Sequence, residues 1–170
     1  MNYKTLIREV PDYPKPGILF YDITTLLKDR SAFRSIIDDL TGMYRDKNIA
    51  KVVGIESRGF IIGGPLAHQL GAGFVPVRRP GKLPADIFEV KYNLEYGSNS
   101  LAIHRDAITL NERVLIADDL LATGGTAAAA VNLVRQLGGE IVGAVFLVEL
   151  CGLKGRELLN GYSVQALVQY

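Results

Sequence analysis

The chain has 170 residues, 48% of them hydrophobic, with 19 basic against 18 acidic side chains and one cysteine. That length supports one buried core and predicts a single domain over 1–170. Near-neutral charge without blocks of one sign argues against nucleic acid as a partner. The lone Cys151 excludes an internal disulfide and a four-thiolate zinc site, and its place after an apolar run predicts a packed thiol. Met1 to Val10 lacks an apolar signal core and no run approaches 18 apolar residues, so a cytoplasmic, membrane-free protein is expected.

In chain order, Ser31 is the expected N-cap of a helix carrying Phe33, Ile36, Ile37, Leu40, Met43 and Tyr44 at helical spacing and ending near Asn48. Lys51 to Ile55 reads as a buried strand, Gly59 to Leu70 as a helix and Gly73 to Val77 as a second strand. The stretch Arg78-Arg79-Pro80-Gly81-Lys82-Leu83-Pro84 is cationic and turn-rich. Asp86 to Asn93 and Asn99 to His104 then predict an antiparallel flap. Arg113 to Ala117 is a third strand and Ala127 to Leu137 an amphipathic helix stopped by Gly138 and Gly139. Glu140 to Leu150 is a long apolar strand, and Ser163 to Val168 a last one. Strands alternating with helices predict an α/β fold on a parallel sheet. His68 is expected as a partly buried packing residue and His104 as exposed, neither with metal-ligand spacing.

The most informative segment is Val114 to Thr126, an apolar strand running into Asp118 and Asp119 and then Ala122-Thr123-Gly124-Gly125-Thr126. The open start of a helix offers unpaired N–H groups and a positive dipole end, so Thr123, Gly124, Gly125 and Thr126 suit a phosphomonoester. Two carboxylates before it repel phosphate unless the ligand also brings hydroxyls or a metal ion, and a ribose 5-phosphate meets that requirement. Neither a Gly-Lys-Ser/Thr loop nor a G-x-G-x-x-G turn is present, which excludes a P-loop and disfavours a dinucleotide fold.

This stretch resembles the phosphoribosyl-pyrophosphate signature of the type I phosphoribosyltransferases. Pro16 to Ile23, Glu56-Ser57-Arg58-Gly59-Phe60, Arg78 to Pro84 and Leu94-Glu95-Tyr96-Gly97 are similar to those members that act on adenine, so the match runs from about Asp12 to Glu149. The resemblance implies a parallel sheet with helices on both faces, a small N-terminal hood over about 10–24 and a flexible antiparallel flap over about 78–104. It also implies transfer of a phosphoribosyl group to adenine with Mg2+, in a homodimer, for purine salvage.

By resemblance, Ala122 to Thr126 hold the 5-phosphate, while Asp118 and Asp119 accept the ribose hydroxyls and favour positive charge on the ring. Glu56, Ser57, Arg58, Arg78, Arg79 and Lys82 hold pyrophosphate, with Arg58 and Lys82 stabilising the departing oxygens. Glu95 acts as acid or base on adenine N7. Phe20 stacks on the base, Leu19 and Tyr21 offer main-chain groups, and Leu150 adds an apolar wall. Many members carry Arg at the Tyr21 position; main-chain recognition makes that difference harmless. Magnesium is expected mainly on substrate oxygens, with no certain protein ligand. Two alternatives remain open: another base with the same phosphate loop, or a phosphoribosyl-pyrophosphate-sensing regulator that binds nucleic acid.

Overall fold

The computed structural model describes residues 1–94 and 97–170, which fall into two compact units, 1–39 and 40–170.

In the first unit, β1 (Arg8–Pro11) pairs antiparallel with β2 (Leu19–Asp22), placing Arg8 opposite Asp22. Their side chains close an ion pair at 2.6 Å. Asp22 also accepts the Thr24 amide, starting the short helix α1 (Thr24–Leu27). With these donors, Thr24 first and then Arg8, its carboxyl is held down at about 2. The connecting turn needs left-handed backbone at Asp12 and Gly17, and the Gly17 amide donates to Asp12 Oδ1. No strand is predicted here, because four residues are too few for alternation to register.

Helix α2 (Arg30–Tyr44) is capped by Asp29, whose Oδ1 accepts the Ala32 amide at 2.8 Å. Ser31, the expected cap, therefore stands inside the helix. The α-helical part stops at Tyr44, the last of the apolar positions, and a 3-10 turn (Arg45–Lys47) carries the stretch to left-handed Asn48, near the expected end.

The second unit is built on a parallel five-stranded sheet of order β4-β3-β7-β8-β9. Its strands are β3 (Lys51–Ile55), β4 (Gly73–Val77), β7 (Arg113–Leu121), β8 (Glu140–Glu149) and β9 (Val164–Gln169). A separate antiparallel hairpin joins β5 (Ile87–Leu94) to β6 (Gly97–His104). Helix α3 (Arg58–Leu70) follows β3, and α4 (Gly125–Gln136) follows β7.

Alternation along each strand sends successive side chains to opposite sheet faces. Gly54 and Ala117, which share a register position, meet Gly63 of α3 on one face. Val53, Ile55 and Ile116 face the other way, in a core with Ala130, Leu133 and Val134 of α4. The hairpin joins that second core through Leu101, Ile103, Phe88, Val90 and Tyr92. Its root is also tied to Arg78 by two backbone bonds with Ala102. The hairpin is thus packed at its base rather than solvated on both sides.

Strand β7 runs four residues beyond its expected end and takes in the acid pair. Strand β8 supplies the ladder, pairing Asp118 with Phe146, Leu120 with Val148 and Leu121 with Glu149. A neighbouring strand outweighs the poor strand propensity of aspartate. Cys151, expected packed, is an exposed free thiol just past β8. His68 is exposed too, while His104 is half-buried with Nε2 accepting from the Ala85 amide.

Candidate active site

Strand β3 connects through α3 to β4 on one side of the sheet, and β7 connects through α4 to β8 on the other. Between β3 and β7 the connections diverge, which opens a crevice at the carboxyl ends of the strands. A cleft of about 330 Å³ lies there. Glu56, Ser57 and Arg58 line it from β3, Asp118 to Thr126 from β7 and α4, and Arg79 from the cationic stretch.

Glycines bring these walls together. A Cβ on Gly59 would stand 2.8 Å from Asp118 Oδ1 and 2.9 Å from the Ala117 carbonyl, so only hydrogen lets the first turn of α3 rest on the end of β7. The turn into α4 passes through Gly124 at φ +85°, a left-handed conformation suited to glycine. The first helical bond runs from the Ala128 amide to the Gly124 carbonyl. The amides of Gly125, Thr126 and Ala127 precede this bond and stand at the positive end of α4.

The acid pair is electrostatically costly. Asp119 is only 4% exposed. Arg58 Nε lies 2.9 Å from its Oδ2. That approach is an ion pair without hydrogen-bond alignment, and among the described residues Oδ2 has no hydrogen-bond partner. Asp118 Oδ1 accepts the Asp119 amide at 2.9 Å. Burial, and then the Asp119 charge beside it, push the Asp118 carboxyl well above the ordinary carboxylate range. Asp119 is pushed up by burial and held back by the Arg58 guanidinium.

Opposite the pair, Glu56 gathers the cationic stretch. Its Oε1 lies 2.9 Å from both Arg78 Nη2 and Lys82 Nζ, and its Oε2 accepts the Arg79 amide. Arg78 foremost, with Lys82 and the Arg79 amide, holds the Glu56 carboxyl at about 2. Among the expected pyrophosphate residues, Glu56, Ser57, Arg58 and Arg79 therefore line the cleft, whereas Arg78 and Lys82 are not among the lining residues and are paired with Glu56. The Glu56–Ser57 peptide is cis.

Sequence reasoning missed Tyr92, Asn99 and Leu101, hairpin residues that also line the cleft. The Tyr92 hydroxyl lies 3.3 Å from Thr126 Oγ1. Their strand spacing was visible, but nothing local shows which part of a hairpin reaches a loop distant in sequence. Leu150 is half-buried after β8 and is not among the lining residues. Leu19 is exposed and Phe20 and Tyr21 half-buried in the first unit, where Phe20 meets the Tyr13 ring edge-on at 5.2 Å. Glu95 lies outside the described residues.

Among the described residues, no three His, Cys, Asp or Glu side chains are grouped to hold a metal ion, and no helix is long and apolar enough to cross a membrane.

Comparison with known proteins agrees with this geometry. The family model described as phosphoribosyl transferase domain matches residues 24–162. An adenine phosphoribosyltransferase from Solibacter usitatus is 60% identical over 169 residues, 99% of this chain and 98% of that protein. The crystal structure of the enzyme from Thermoanaerobacter pseudethanolicus has a TM-score of 0.95 at 49% identity, covering 99% of this chain and 98% of the other. That from Saccharomyces cerevisiae, solved with an imino-altritol bisphosphate and adenine, has a TM-score of 0.92 at 42% identity, covering 97% and 96%. The chain belongs to the phosphoribosyltransferase family, and within it to the adenine phosphoribosyltransferases.

Proposed function

We propose that the chain transfers the 5-phosphoribosyl group of phosphoribosyl pyrophosphate to N9 of adenine, giving AMP and pyrophosphate in purine salvage. The observation that carries this reading is one cleft lined by the acid pair, the glycine-threonine loop and the Glu56–Arg58 turn. Relatives named for this activity match over nearly the whole chain.

In the reaction the bond from ribose C1 to pyrophosphate breaks and the bond to N9 forms. Amides of Gly125 to Ala127, with the Thr123 and Thr126 hydroxyls, hold the 5-phosphate at the start of α4. Ala122 and Gly124 shape that turn. Asp118 and Asp119 accept the ribose hydroxyls and favour positive charge on the ring as the C1 bond stretches. Ser57 and Arg58 receive pyrophosphate with Arg79 beside them. Lys82 and Arg78 join only by leaving Glu56, so the anion displaces a carboxylate from its cations.

Other roles rest on resemblance alone: Glu95 exchanging a proton with adenine N7, and Leu19, Phe20, Tyr21 and Leu150 recognising the base. Magnesium fits as an ion carried by substrate oxygens, since Asp118 and Asp119 are the carboxylates beside the phosphate loop and one is engaged by Arg58. When bound, it supplies neutralising charge to the pyrophosphate. Residues 1–170 are taken as one working domain, in a cytoplasmic homodimer.

A base panel tests the reading. Protein is supplied with phosphoribosyl pyrophosphate, magnesium and adenine, hypoxanthine, guanine, xanthine, uracil or orotate, and nucleotide and pyrophosphate are quantified. AMP from adenine alone is expected. Turnover of another base would overturn the adenine assignment, and tight binding without turnover would favour a sensor.

A further inference from the structure

Behind the phosphate loop the chain leaves β8 and makes two 3-10 turns, Cys151–Leu153 and Gly155–Leu159. Gly155 is buried there and is not among the residues that line the cleft. A Cβ on Gly155 would stand 2.3 Å from the Ala122 carbonyl oxygen and 3.0 Å from the Gly124 nitrogen. The contact is reciprocal: a Cβ on Gly124 would stand 2.3 Å from the Gly155 carbonyl oxygen. Two segments thus meet backbone to backbone. Gly124 also needs glycine for its left-handed φ, whereas Gly155 does not have a positive φ. Its requirement is space alone.

The next residue fixes that contact from the other side. Arg156 grips the buried Glu149 with a two-pronged bond, Nε to Oε1 at 2.6 Å and Nη2 to Oε2 at 2.7 Å. Its third nitrogen donates to the Val164 carbonyl, and Gln169 donates to Glu149 Oε2. Such a planar fork sets direction as well as distance. It ties the 3-10 segment to the ends of β8 and β9, and the Leu150 amide ties the start of that segment to the Leu121 carbonyl at the end of β7.

We propose that Gly155 is a positioning residue for the reaction, pressed by the Glu149–Arg156 fork against the loop so that its amides aim at the 5-phosphate. This rests on the reading that residues 123–126 hold that phosphate. A side chain at 155 would push the Ala122 carbonyl and Gly124 amide, and through them every donor of the loop.

The test compares the wild-type protein with G155A, R156K and T126V. The measurements are calorimetric affinity for inorganic phosphate and ribose 5-phosphate, KM for each substrate, kcat and thermal unfolding. In G155A, phosphate affinity falls and the phosphoribosyl-pyrophosphate KM rises by about 10-fold, while the adenine KM stays within about 2-fold. R156K keeps the charge but loses the fork, and shifts the same constants by about 3-fold. A merely destabilised protein would lose active fraction without this split between the two KM values. Wild-type phosphate affinity in folded G155A, or in R156K if G155A does not fold, would overturn the proposal. T126V, which removes one hydroxyl donor and keeps the amides, is expected to weaken phosphate about 3-fold, and wild-type protein that binds neither inorganic phosphate nor ribose 5-phosphate would overturn the loop assignment itself.

Discussion

Asp118 and Asp119 are held in the fold at an electrostatic cost. A carboxyl whose folded pKa is raised above its unfolded value destabilises the fold at higher pH, where the folded state must give up a proton it favours. Replacing Asp118 by Asn removes that penalty. D118N is therefore expected to raise the melting temperature at pH 7 by roughly 2–4 °C, about 1 kcal/mol, while weakening phosphoribosyl pyrophosphate. Thermal unfolding with and without ligand checks both signs. Glu56 works in the opposite sense. Its pKa falls from 4.5 to about 2, so its stabilisation is present above the unfolded value and is lost as pH falls through that window. Arg78 and Lys82 are partly exposed, which limits the effect to about 1 kcal/mol. E56Q is expected to melt lower than wild type at pH 7, with the gap narrowing below the unfolded value and closing only toward about pH 2, as melts across that range will show.

Among the elements, α3 and β7 are fitted to each other by Gly59. G59A forces its methyl onto Asp118 Oδ1 and the Ala117 carbonyl, so it is expected to cost about 1–3 kcal/mol and raise the phosphoribosyl-pyrophosphate KM. Gly42 in the last turns of α2 is exposed and meets nothing within 4 Å, and G42A is expected to stabilise by about 0.5–1 kcal/mol. Denaturant titration of both variants checks the contrast. The sequence shows long elements well and their ends badly. The five sheet strands carry apolar runs that no neighbour contradicts, whereas β1 and β2 are too short for a pattern. Asp118 and Asp119 look like the end of a strand because their propensity is poor, and only pairing with β8 extends β7 through them. Asp29 and Ser31 are both good caps, and the choice between them depends on where the preceding helix releases the chain.

For the molecule as a whole, function follows from strand order. The loops after β3 and β7 are far apart in sequence, but adjacent strands with diverging connections bring them to one crevice. The residue types of both loops were legible; their meeting was legible only by resemblance, since single-sequence patterns carry no strand order. Gly155 and the hairpin residues Tyr92 and Asn99 escaped for the same reason. Their places beside the cleft and its loop come from contacts made across the fold, without a local signature.

The measurement that tests the site most directly is calorimetry of ribose 5-phosphate and inorganic phosphate with wild type and the D118N/D119N double variant. If the pair holds the ribose hydroxyls and the loop holds the phosphate, the double variant loses about 10-fold or more in affinity for ribose 5-phosphate and keeps or improves its affinity for inorganic phosphate. Unchanged affinity for ribose 5-phosphate would contradict the account.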